Sequence, residues 1–163
     1  MDFRPIETEH RGHRFRSRKE ARFATMFDAL GIRWEYEPEG YELGNGNRYL
    51  PDFRLPDQGL WVEVKGKLPT VDEFEKATRL AQGDPDSMVI ITWENFDWPT
   101  SQNNIAFWTD RDGVFHSQRG WRWLNSPEEG WAAARAARFD GSDGNPLWRN
   151  YEPRAIEVGE LPY

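Results

Sequence analysis

The most constraining stretch of this chain is "SMVIITW", residues 87–93. An apolar run of that length without alternation reads as a strand buried on both faces, and so as the centre of a sheet. Its neighbours then have to supply strands on both sides and a cover. "VDEFEKATRLAQG", just before it, places Phe74, Ala77 and Ala81 at helical spacing and closes at Gly83. Before that helix come two strand-like segments, "RYLPDFRL" and "LWVEVKG", separated by the turn "PDQG" at 56–59. "IRWEYEPEGYEL" alternates Ile32, Trp34 and Tyr36 against Arg33, Glu35 and Glu37, a further strand signature, with "GNGN" at 44–47 as a turn. "SRKEARFATMFDALG" opens with a helix cap at Ser17, carries Phe23, Ala24, Phe27 and Leu30 on one stripe and can end at Gly31.

The first 93 residues thus predict α-β-β-β-α-β. Residues 1–14 show no periodicity and are expected to be an extended or loosely ordered arm. In 94–139, "NIAFWTDRDGVFH" predicts a hairpin turning at Asp-Gly, and "SPEEGWAAARAARF" a helix starting near Ser126, Pro127 and Glu129. Residues 140–163, rich in Gly, Asp, Asn and Pro, predict an irregular tail. The expected fold class is α/β: a core at 15–93 with a mixed central sheet, elaborated at its C-terminal side by a hairpin plus helix.

A chain of 163 residues is about one domain. It has no Cys, which excludes disulfides, Cys-ligated zinc and thiol nucleophiles. No apolar run reaches the length of a membrane span, and "MDFRPIETEH" lacks an apolar signal core, so a cytoplasmic protein is expected. The net charge of -7 argues against a nonspecific nucleic-acid coat. The charge is uneven: residues 1–22 hold seven Lys/Arg against four Asp/Glu, and the remaining residues hold 14 against 24. Arg14, Arg16, Arg18, Lys19 and Arg22 form the dense basic run, a candidate clamp on a nucleic-acid backbone or simply a solvated helix start.

The chemistry-bearing cluster lies in "YLPDFRLPDQGLWVEVKGKL". Side chains alternate along a strand, so Glu63 and Lys65 share one face while Val62 and Val64 take the other. If the two strands pair through the 56–59 turn, Phe53, Val62 and Val64 line the core and Asp52, Glu63 and Lys65 converge opposite. Two carboxylates meeting there repel each other unless a cation sits between them. Oxygen donors select Mg²⁺ or Mn²⁺, and the Val64 main-chain carbonyl is a further candidate ligand. A lysine beside such a centre can orient or deprotonate water, or neutralise charge developing on phosphorus. The bland alternative is a solvated salt bridge on an edge hairpin.

"PDF" followed by "EVKG", with ten residues between Asp52 and Glu63, resembles the PD-(D/E)XK nuclease superfamily, whose αβββαβ core matches the element order above. Together "RSRKEARFATMFDALGIRWEYEPEGYEL", "YLPDFRLP" and "WVEVKGK" look like small nuclease-like proteins of actinobacteria and their phages. The resemblance covers about residues 14–93. It implies a restriction-endonuclease-like fold and divalent-metal-dependent hydrolysis of DNA phosphodiesters, with Asp52, Glu63, Lys65 and Glu20 catalytic. Asp52, Glu63, Glu20 and the Val64 carbonyl would hold Mg²⁺ or Mn²⁺, and no zinc is expected. Glu20, on the first helix, has a competing role as the partner of Ser17 in a capping box. Such relatives often carry a Cys-rich metal knot in their second half, and this chain departs from them there.

Lys76, mid-helix, is a candidate phosphate contact alongside Arg16, Arg18, Lys19 and Arg22. Glu37 is a weaker candidate near the metal, with a solvated face as the alternative. His10 and His13 make an incomplete metal pair. Trp121 and Trp123 are candidate base-stacking rings whose alternative is core packing. Arg135 and Arg138 predict a solvated helix face. "GNGNR" precedes a strand and lacks the Gly-Lys-Ser/Thr ending of a phosphate loop. DNA is the expected partner, and a homodimer is compatible with the sequence. The reading from a different functional class is a catalytically silent nucleic-acid- or protein-binding module, for example in a phage anti-defence or assembly complex.

Overall fold

A computed structural model describes residues 6–38, 40–43, 46, 48–93, 103–120, 124 and 128–139. The expected tail at 140–163, Trp121, Trp123, Ser126 and Pro127 lie outside the described residues. The chain is α/β, with a mixed six-stranded sheet and, among the described residues, three helices. It divides into two compact units. Within the described residues one comprises 6–32 with 128–139, and the other 33–124.

The first unit opens with a hairpin of β1 (Thr8–His10) and β2 (His13–Phe15). Of the extended or loosely ordered arm expected over 1–14, residues 8–14 are extended and ordered by this pairing. Arg11 and Gly12 both take positive φ and close a tight turn, and Phe15 is fully buried. Helix α1 (Arg18–Ala29) follows, with Ser17 as N-cap. Its end is a left-handed stop: Gly31 has φ 65, and the Ile32 amide reaches back to the Phe27 carbonyl at 2.8 Å. α1 packs against α3 (Glu128–Ala136), with Phe23 edge-on to Trp131 at 6.0 Å.

In the second unit the large sheet runs β10-β9-β8-β7-β6-β3. Its strands are β3 (Glu35–Tyr36), β6 (Phe53–Leu55), β7 (Leu60–Val64), β8 (Met88–Thr92), β9 (Asn104–Thr109) and β10 (Phe115–Arg119). Only β7 and β8 are parallel, and α2 (Val71–Gly83) supplies the crossover that a parallel pair needs. The apolar run at 87–93 is indeed internal to the sheet, and every residue of β7 and β8 is buried. α2 packs on β8 and β9. Ala77, Leu80 and Ala81 form one core cluster with Trp61, Val89, Ile91 and Phe107.

The strands between residues 32 and 55 are shorter than their alternation suggests. Glu37 takes φ 45 and Pro38 has no N–H, so β3 stops after two residues. β4 (Tyr41–Glu42) and β5 (Arg48–Tyr49) form a separate small hairpin. Pro51, which also lacks an N–H, lies in the break between β5 and β6, which belong to different sheets. The 56–59 turn is a single 3-10 turn closed by Gly59 at φ 64. At the β9–β10 turn the Asp110 carboxylate accepts the amides of Asp112 and Val114, and Gly113 takes φ 78.

Candidate active site

The β6–β7 pairing places Phe53 opposite Val62 and Leu55 opposite Leu60. Asp52 lies one residue before β6, just past the end of this ladder, and Glu63 one residue after Val62. Both acids are buried, at 3% and 6% exposure. The Asp52 carboxylate accepts the Val64 amide at 2.7 Å, and the Asp52 carbonyl accepts the Glu37 amide at 2.9 Å. The N–H and C=O of a strand residue point to the same side. The Val64 carbonyl therefore faces the side on which Asp52 sits, beyond the end of β6.

Alternation holds for Glu63 and Lys65: the Lys65 Nζ lies 2.6 Å from Glu63 Oε1. It also lies 3.0 Å from Glu73 Oε1, on the first turn of α2. The expectation that Phe53, Val62 and Val64 line the core while the acids take a separate polar side needs correcting. Trp61, two residues before Glu63 on the same face, is itself in the core beneath α2. Both faces are buried, and the charged groups occupy the end of an otherwise apolar face. An edge-hairpin salt bridge in solvent does not describe this, because β6 and β7 are interior strands and their acids are buried.

The electrostatics follow from that burial. Burial pulls the Lys65 ammonium towards its neutral form, but Glu63 and then Glu73 outweigh it and leave its pKa raised. Burial also pushes up the Glu73 carboxyl, and this is outweighed by the Thr70 amide and Lys65, so its pKa is lowered. The buried Tyr49 hydroxyl has its pKa raised well above the ordinary value, first by burial and then by the charges of Glu63 and Asp52. One hydroxyl thus feels both acids. No protein-family model, curated protein or solved structure matches this chain.

Two carboxylates and a main-chain carbonyl are hard oxygen donors, the set that suits Mg²⁺ or Mn²⁺. Mg²⁺ commonly takes one or two carboxylates and keeps water elsewhere. Among the described residues no group of three or more His, Asp or Glu forms a complete protein cage.

Glu20 belongs to the first unit, and its carboxylate works at the start of α1. Its oxygens accept the Ser17 hydroxyl at 2.8 Å and the Arg16 amide at 3.2 Å, while its own amide donates to Ser17 Oγ at 3.1 Å. This is the helix-cap role, shifted by one residue from the expected Ser17 amide. Arg22, expected at a nucleic-acid backbone, donates to the Ala134 and Arg135 carbonyls near the end of α3. Lys76 pairs with Asp72 one turn earlier, at 2.8 Å. Arg16 and Arg18 are exposed and Lys19 is half-buried. His10 pairs with Asp28 at 3.1 Å, and Arg135 and Arg138 are exposed as expected.

Two site residues were missed in the sequence. Glu73 was signalled by Thr70-x-x-Glu73, a capping-box pattern ahead of a helix. Tyr49 had only its position, three residues before Asp52, and its approach to the acids comes from the β4–β5 hairpin.

Proposed function

We propose that Asp52, Glu63 and Lys65 form the centre of a divalent-metal-dependent deoxyribonuclease with a restriction-endonuclease-like core. The observation that carries this reading is the buried pair Asp52 and Glu63, gathered where β6 and β7 pair, with Asp52 bound to the Val64 amide and Lys65 bound to Glu63. The order α1-β3-β6-β7-α2-β8, with the β4–β5 hairpin inserted, supports the resemblance to the PD-(D/E)XK superfamily. Asp52, Glu63, Val64 and Lys65 all belong to the sheet unit.

In this reading Asp52, Glu63 and the Val64 carbonyl hold Mg²⁺ or Mn²⁺. The ion supplies Lewis acidity to a phosphate oxygen and to water. The Val64 amide fixes the orientation of the Asp52 carboxylate by donating to one of its oxygens. Lys65, with two anionic partners, keeps its proton and brings positive charge to the phosphate as charge develops there. Its contacts favour this role over that of a base.

The test is cleavage of plasmid and linear DNA with Mg²⁺ or Mn²⁺ by wild type, Asp52→Ala and Lys65→Ala. Wild type is expected to cleave and both variants to lose activity; equal activity in all three would sink the assignment. A silent binding module of the same fold is favoured by one observation: Asp52, Glu63 and Lys65 each already have a partner within the protein. DNA binding without cleavage by wild type, and without a metal-dependent gain in stability, would select it.

A further inference from the structure

We propose that Glu73 is a positioning residue that holds the Lys65 ammonium at the proposed centre, through the same carboxylate that caps α2. This rests on reading Asp52, Glu63 and Lys65 as the reactive groups. Glu73 occupies the third position of α2 and completes a capping box with Thr70. Its Oε2 accepts the Thr70 amide at 2.8 Å and the Thr70 hydroxyl at 3.2 Å, and its amide donates to Thr70 Oγ1 at 3.3 Å. One oxygen is thereby committed to the helix start. The other, Oε1, receives Lys65 Nζ at 3.0 Å.

A capping glutamate usually turns its free oxygen to water. Here it reaches back across the loop 66–69 to the end of β7. The cap fixes that oxygen in space, because the helix start and the carboxylate lock one another. Lys65 needs such a hold. Its main chain is tied to the sheet by its amide, which donates to the Thr92 carbonyl at 2.8 Å, but its flexible stem has many rotamers. Its other anchor is Glu63, the carboxylate on which a bound cation would draw. Were Glu63 to ligate a cation, Glu73 would still hold the ammonium.

The test is Glu73→Gln, read in two ways. Nitrogen-15 spectra of lysine ammonium groups in the metal-free protein report whether Lys65 Nζ is held, with Lys65→Arg giving the assignment and exposed Lys67 as internal reference. Wild type is expected to show a slowly exchanging Lys65 signal that Glu73→Gln weakens without abolishing, since Glu63 still contacts the ammonium at 2.6 Å, with Lys67 unchanged. In steady-state cleavage with Mn²⁺, kcat is expected to fall about 10–100-fold, with KM for DNA within about twofold of wild type. A role in helix capping alone would lower thermal stability and leave the Lys65 signal in place. A Lys65 signal unchanged in Glu73→Gln, or a wild-type Lys65 signal no different from that of Lys67, overturns the proposal. If Glu73→Gln does not fold, Glu73→Asp, one methylene shorter and still able to cap, is expected to weaken the same signal. Absence of cleavage by wild type would refute the nuclease reading alone, since the ammonium spectrum decides Glu73's hold on Lys65 without it.

Discussion

Asp52→Asn separates the charge of Asp52 from its hydrogen bond. Asp52 Oδ2 accepts the Val64 amide at 2.7 Å, and the Asn carbonyl oxygen can take the same bond. Replacing a charged acceptor by a neutral one costs about 1 kcal/mol. Against this, the substitution removes one of two buried like charges. Cross-strand neighbours on one face lie about 5 Å apart at Cβ, and unit charges about 6 Å apart repel by about 3 kcal/mol at an effective dielectric constant near 20. Lys65, bound to Glu63 at 2.6 Å, already offsets part of that repulsion. Without metal, the variant is therefore expected to be as stable as wild type or slightly more stable. With Mn²⁺ the order reverses. Ligand at about 100 times its Kd stabilises the folded wild type by about 2.7 kcal/mol, and this corresponds to about 5–11 °C in Tm for a chain of this size. Asp52→Asn, with one carboxylate fewer, is expected to gain little. Thermal unfolding followed by circular dichroism in chelator and in Mn²⁺, for both proteins, measures all four states. A wild-type Tm indifferent to Mn²⁺, or equal gains in both proteins, would refute the reasoning.

Two further outcomes are expected away from the site. The Asp110 carboxyl is held below the usual carboxylate range, first by its hydrogen bond from His116 at 2.7 Å and then by the Val114 and Asp112 amides. Its contribution to the β9–β10 turn is thus fully present above the ordinary carboxylate pKa of about 4 and is lost as pH falls through the lowered value. Protection factors over 104–119, taken relative to the intrinsic exchange rate at each pH, are expected to fall on acidification in wild type, and Asp110→Asn to lack that step; identical acid limbs would contradict it. In α3, a Cβ at Gly130 would lie 2.8 Å from both Leu30 Cγ and Met26 Cγ. Overpacking of that kind costs about 1–3 kcal/mol against about 1 kcal/mol gained in helix propensity. Gly130→Ala is expected to be destabilised by about 1 kcal/mol in chemical denaturation, and a variant more stable than wild type would deny the close approach of α1 and α3.

The central elements were legible because each carries its own local physics. The apolar run at 88–92 has to be inside a sheet, the amphipathic 71–83 has to cover one, and Ser17 and Gly31 bracket α1 through caps that need no tertiary contact. The hairpin at 8–15 was not legible, since three-residue strands are too short to show a period. Nor were the early ends of β3 and β5, which depend on a positive φ at Glu37 and on Pro38 and Pro51 within alternating runs.

At the candidate site the sequence determined which groups share a face. The two-residue period puts Glu63 with Lys65, and a turn of fixed length brings Asp52 to the Val64 amide beside them. Only the tertiary structure decided what that face is. It is a buried one that α2 helps to cover, with Trp61 in the core and Tyr49 and Glu73 brought to the acids by a hairpin and a helix cap. It also gave Glu20 and Arg22 work at helix ends. Strand alternation is a property of one segment of backbone, whereas burial, charge pairing and cap partners depend on which segments meet.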